Sequence, residues 1–124
     1  MNIWPILACL VLVSFLSLNP WVLPDPQQAI GIVTWDLLDH AAAYAILAFL
    51  MLSVWINPAH KLISTLLVVM LSSIFGFLLE LGQFWLTSVR HFSFSDAYAN
   101  VFGSWVGVAA FWCFRMISRR FRNE

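Results

Sequence analysis

Three polar patterns interrupt a sequence that is otherwise almost entirely apolar. Asp36, His40 and Tyr44 recur every four residues, so on a helix they stack on one face, with Asp39 beside the stripe. Gly76, Glu80, Gln83 and Thr87 recur at intervals of four, three and four, and Asp96, Asn100, Gly103 and Gly107 do the same. Arg90 stands between the second and third patterns. These residue types can do chemistry. An imidazole beside Asp36 or Asp39 is an oriented general base, and Glu80 among apolar neighbours is a general acid. The planar fork of Arg90 suits a phosphate, a carboxylate or developing anionic charge. Tyr44, Gln83 and Asn100 supply neutral donors and acceptors. The candidate catalytic groups are therefore His40, Glu80, Asp36, Arg90 and Asp96. The candidate ligand-binding set is Asp36, His40, Tyr44, Glu80, Gln83, Arg90, Asp96 and Asn100. Metal-assisted hydrolysis through His40, Asp36 and Glu80 is weakly supported, because the cluster holds one His and there is no HExxH-type pair. Neither a metal nor a cofactor is expected, and no Gly-rich phosphate loop is present.

The elements that position these groups must live in a membrane. Of 124 residues, 62% are hydrophobic and 10% charged, and the mean hydropathy is +0.88. A soluble domain carries about 45–50% apolar and roughly 25% charged residues. This chain has too few charges to coat a water-facing surface. That excludes an ordinary soluble domain, a disordered tail and a nucleic-acid binder with a basic face. A crossing helix needs about 20 mostly apolar residues, and four stretches qualify, at about 1–18, 36–56, 62–86 and 96–117. The apolar runs are continuous, so helices fit and the alternating strands of a barrel do not. The expected fold is an all-α integral membrane four-helix bundle forming one domain over 1–124. The 19–35 connection holds Pro20, Pro24 and Pro26 yet stays fairly apolar. It is expected at the membrane surface, with room for a short interfacial helix after Asp25-Pro26. The first stretch has no basic n-region and no clear A-x-A site, so it reads as a span rather than a cleaved signal.

Orientation follows from Lys and Arg. With four spans, Lys61, Arg115, Arg119, Arg120 and Arg122 share the side of both termini, and only Arg90 lies opposite. The positive-inside rule then puts both termini in the cytoplasm. Asp36, His40, Glu80, Gln83, Arg90, Asp96 and Asn100 all fall toward the outer side, so three separate stretches should build one extracytoplasmic cluster. Trp21, Trp35 and Trp85 suit the outer interface and Trp4, Trp55 and Trp112 the inner one, with Trp105 left inside the fourth span. Cys9 and Cys113 read as small buried apolar residues. Gly103-x-x-x-Gly107 and Ser72-x-x-x-Gly76 read as close-packing motifs. Ser93 or Ser95 reads as the N-cap of the fourth helix, and the Arg119–Arg122 tail as an anchor beside anionic headgroups.

The ordered set resembles the VanZ-like family of small bacterial membrane proteins. Its pieces are Asp36-x-x-x-His40-x-x-x-Tyr44, then Glu80-x-x-Gln83. Arg90-x-x-Ser93-x-x-Asp96-x-x-x-Asn100-x-x-Gly103-x-x-x-Gly107 follows. The resemblance runs from about residue 36 to 107. The family usually has Lys after the first Asp, where this chain has Leu37, and Asp39 adds further negative charge. The resemblance implies the bacterial cytoplasmic membrane and a link to teicoplanin resistance. That glycopeptide acts on cell-wall precursor outside the membrane.

Four functions fit the residues. In the first, the outer cluster binds or modulates a cell-envelope lipid, a lipid-linked wall precursor or a glycopeptide-type antibiotic. In the second, the same site turns over an envelope lipid by acid/base chemistry. A transporter fits less well, because polarity does not continue into the cytoplasmic half. A structural or assembly partner is the remainder. Membrane lipids are the expected partners, nucleic acid is not, and the oligomeric state is not fixed by the sequence.

Overall fold

The computed structural model describes residues 2–18, 29–30, 33–86 and 93–122. Its helices are α1 (Trp4–Leu18), α2 (Trp35–Trp55), α3 (Lys61–Leu86) and α4 (Phe94–Arg122). Two-residue strands β1 (Ala29–Ile30) and β2 (Val33–Thr34) pair antiparallel just ahead of α2. The protein is an all-α four-helix bundle carrying that one small ladder. Helices α2, α3 and α4 have 21, 26 and 29 residues and are apolar enough to cross a membrane. At about 1.5 Å per residue they rise roughly 31, 39 and 43 Å, against a hydrocarbon core of about 30 Å.

Helix α1 lies within the first expected span and is the shortest of the four, with 15 residues that rise about 22 Å. Helix α4 overruns its expected end and carries Arg119, Arg120 and Arg122 in its last turn. Cations are favourable there, at the negative end of the helix dipole. Of the 19–35 connection, residues 19–28 lie outside the described residues, as do Trp21, Asp25, Thr87 and Arg90. The described part next to α2 is a strand pair rather than an interfacial helix.

Local chemistry sets the helix starts. Thr34 caps α2, its hydroxyl oxygen accepting from the Leu37 N–H at 3.3 Å. Ser93, not Ser95, caps α4, accepting from the Asp96 N–H at 3.3 Å. Helix α2 stops at Trp55, where the Ile56 N–H still reaches the Leu52 carbonyl and Asn57-Pro58 follows.

The closest pairing joins α2 to α4, and small residues permit it. A Cβ on Gly103 would run into the Ala41 carbonyl, and one on Gly107 into the Ala45 carbonyl. The two backbones therefore meet along Ala41-x-x-x-Ala45 and Gly103-x-x-x-Gly107, the small-residue geometry of membrane helices. Residue numbers rise together across this seam, so α2 and α4 run parallel. Gly76 against Asn100 and Ser72 against Ser104 show that α3 runs antiparallel to α4.

Polarity is distributed inside out. Leu62, Met70, Leu78, Phe102, Trp105, Phe114 and Met116 are exposed, as a lipid-facing surface requires. Trp105, anomalous in the sequence, points out of the bundle. The buried set mixes Leu47, Ala48, Leu52, Val68 and Phe111 with His40, Ser72, Glu80, Gln83, Asn100 and Ser104. Of the two cysteines expected to be buried, Cys9 is half-buried and packs against the core, but Cys113 is exposed. An exposed thiol on a lipid-facing helix is as apolar as its neighbours and needs no packing partner.

Candidate functional site

The parallel seam has a direct chemical consequence. Helices α2 and α4 deliver their N-termini to the same end of the bundle, together with the C-terminal half of α3. Asp36 and Asp96 occupy the first turns of α2 and α4. The positive ends of both helix dipoles favour carboxylates there. One turn further in, His40 on α2 faces Asn100 on α4.

His40 is the hub. Its Nδ1 lies 2.9 Å from Asn100 Oδ1. An amide oxygen only accepts, so Nδ1–H is the donor in this pair. Nε2 lies 4.0 Å from Asp36 Oδ1, and Nδ1 lies 3.7 Å from Glu80 Oε1. Ligand atoms of Asp36, His40 and Asp96 all fall within 4.8 Å of one another. Three distant stretches thus meet at one level, as the sequence leads one to expect.

Glu80 is the most demanding member. It is 0% exposed, and neither carboxylate oxygen has a hydrogen-bond partner among the described residues. Leaving a carboxylate in an apolar interior without a partner is costly. Asn100 Nδ2 is likewise buried without a partner, lying against Gly76, where a Cβ would come within 2.7 Å. Gln83 is buried one turn beyond Glu80 on the same face of α3. Tyr44 is buried one turn deeper than His40, tilted against Phe75 and in contact with the Cβ position of Gly76.

Asp39, beside the stripe, is exposed. It shares a small crevice of about 40 Å³ with His40, Tyr44 and Ser17, walled by Val13, Leu16 and Ala43. The crevice runs between the end of α1 and α2 and reaches the imidazole from the side of the bundle. Sequence spacing does not reveal the part played by α1, because its only polar contribution here is Ser17. It also misses Ser104, which has no polar neighbours at helical spacing except Asn100.

The described cations lie far away. Lys61 opens α3, and Arg115 packs on the Phe111 and Trp112 rings near the other end. No protein-family model, curated protein or solved structure matches this chain.

Proposed function

We propose that this chain is a VanZ-like protein of the bacterial cytoplasmic membrane, with cytoplasmic termini, that binds the polar headgroup of a cell-envelope amphiphile at the outer end of its bundle. The observation that carries the reading is the convergence of Asp36, His40, Glu80, Asp96 and Asn100 from three helices beside a crevice with apolar walls. A headgroup would meet His40 and the two helix N-termini, whose dipoles favour an anion such as phosphate. The acyl or other apolar part would lie along Val13, Leu16 and Ala43. A lipid, a lipid-linked wall precursor and a glycopeptide-type antibiotic all offer that combination. The orientation is supported by the position of Lys61, Arg115, Arg119, Arg120 and Arg122 at the opposite end. Arg90, outside the described residues, enters by sequence as the guanidinium available to an anionic headgroup.

Native mass spectrometry of the protein released from mild detergent tests this. Wild type should retain a phosphate-bearing lipid, and His40→Ala and Arg90→Ala should lose it while remaining folded. Equal lipid retention by all three would overturn the proposal.

A second reading is favoured by the imidazole itself. With Nδ1–H donated to Asn100 and Nε2 turned toward Asp36, His40 is oriented like a general base. Turnover of an envelope lipid by wild type, abolished in folded His40→Ala and Glu80→Gln, would favour the enzyme. Binding without turnover would favour the first reading.

A further inference from the structure

We infer that the overrunning end of α4, together with Lys61 at the start of α3, is a seat for anionic phospholipid headgroups in the leaflet opposite the His40 cluster. The inference needs only that α4 crosses a membrane, and it does not rest on the headgroup reading above.

Register fixes the level of each group. Asn100 meets Gly76, Ser104 bonds to Ser72, and the Trp112 indole bonds to Thr65. Continuing that antiparallel register by one turn brings Arg115 level with Lys61. The parallel pairs, Ala41 with Gly103 and Ala45 with Gly107, put the end of α2 at Trp55 level with Ile117. Residues 118–122 therefore run on past the ends of both α2 and α3. Depth agrees with this. Counted from Phe94, a hydrocarbon core of about 30 Å is crossed in roughly 20 residues, which ends next to Arg115. The headgroup layer beyond is about 5–8 Å thick, so Arg115 and Arg119 stand at phosphate level.

Charge says what that layer must hold. Lys61, Arg115, Arg119, Arg120 and Arg122 share this end with one acid of the sequence, Glu124. Five cations less one acid leaves four positive charges even with Glu124 fully paired. Helix dipoles do not absorb them. The C-termini of α2 and α4 present about half a negative charge each, and the N-terminus of α3 about half a positive one. Lys61, Arg115, Arg119 and Arg122 make no ion pair among the described residues.

A second, independent pattern selects a lipid over a soluble polyanion. Trp112, Arg115, Arg119 and Arg122 follow at intervals of three, four and three along one face of α4. Phe114, Ile117 and Phe121 follow at three and four along another. All three of these apolar side chains are exposed, Phe121 at 74% although it lies past the hydrocarbon. A basic face beside an exposed apolar face is how a helix engages a charged membrane surface. Arg115 is held over the Phe111 and Trp112 rings at 6.0 and 5.8 Å, which keeps its guanidinium at the interface. Trp55 is exposed at the same level, where indoles favour headgroups. The sequence shows a basic tail. The fold adds Lys61 from a second helix and the apolar stripe, which turn an anchor into a place with a headgroup preference.

The test titrates the full-length chain in a neutral detergent with phosphatidylglycerol or, at the same acyl length, phosphatidylcholine, and counts bound lipid by native mass spectrometry. Wild type should prefer phosphatidylglycerol at least tenfold, and the preference should shrink as salt rises. Arg119→Gln with Arg122→Gln should weaken phosphatidylglycerol binding by about 25-fold, about fivefold per cation, and leave phosphatidylcholine unchanged. Arg119→Lys with Arg122→Lys should restore the preference, because the attraction is to charge. Both positions are exposed beyond the bundle core, so the folded peak in chromatography should persist. Equal binding of the two lipids by wild type, or full phosphatidylglycerol affinity in the glutamine pair, would overturn the inference. Phe121→Ser should also weaken phosphatidylglycerol several-fold. An unchanged affinity there would give the arginines to a soluble polyanion and overturn the lipid seat. His40→Ala reads the two ends apart. It should lose the lipid of the outer cluster and keep the phosphatidylglycerol preference. Loss of the preference in that variant would sink this inference alone, and retention of every lipid would sink the headgroup reading alone.

Discussion

Two polar levels inside the same bundle differ in how completely their hydrogen bonds are made. At the inner level, Ser72 Oγ–H donates to Ser104 Oγ at 2.8 Å, and Ser104 Oγ–H donates to the Asn100 carbonyl at 2.9 Å. Both of these hydroxyls have a partner, and the link ties α3 to α4, while the neighbouring Ser73 Oγ is buried without one among the described residues. Toward the helix ends, Glu80 has two oxygens and Asn100 an amide nitrogen without a partner among the described residues. Polar residues that only hold helices together are expected to be saturated, because each open valence in an apolar interior costs stability. Unsaturated groups collected at a helix end are what a binding site requires. The inner level reads as glue and the outer level as a site.

The comparison can be broken most forcefully at the seam that supports both levels. A side chain at Gly103 meets the Ala41 backbone, which cannot swing aside. Gly103→Val should cost about 3 kcal/mol or more and abolish the monodisperse folded peak in detergent chromatography. A normal peak would mean that the α2–α4 approach is not as close as described. Ser104→Ala comes next. It removes the inner link and should lower stability by about 1 kcal/mol without changing lipid binding, as read by thermal melting and native mass spectrometry. Lost ligand binding in that variant would blur the two levels into one. Trp112→Phe removes the 3.2 Å bond from the indole N–H to Thr65 Oγ1 near the opposite end. A loss of about 0.5–1 kcal/mol in a denaturation titration is expected, again with ligand binding intact.

Much of this was legible in the sequence, for identifiable reasons. Asp36, His40 and Tyr44 repeat at helical period, and so do Glu80 and Gln83 and Asp96 and Asn100, which fixes the face each presents. Apolar runs opened at Asp36 and ended by Asn57-Pro58, or begun at Leu62, give helix bounds close to those observed, at Trp35–Trp55 and Lys61–Leu86. Neighbour relations were less legible. Periodicity says which residues share a face, not which face meets which helix. Ala41 and Ala45 are unremarkable in an apolar stretch until Gly103 and Gly107 sit on them. Asp96 joins Asp36 beside His40 because the parallel seam aligns the first turns of α2 and α4. The short reach of α1 was hidden because its composition alone is that of a span.

The central claim, that the outer level is kept for a ligand at the expense of stability, is tested most directly by thermal unfolding of Glu80→Gln in metal-free, lipid-free detergent. The account predicts a melting temperature equal to or above that of wild type, because the change removes a buried carboxylate that has no hydrogen-bond partner among the described residues. Lipid binding should weaken in the same variant. A fall of several degrees, comparable to or larger than that of Ser104→Ala, would contradict the account and make Glu80 part of the glue.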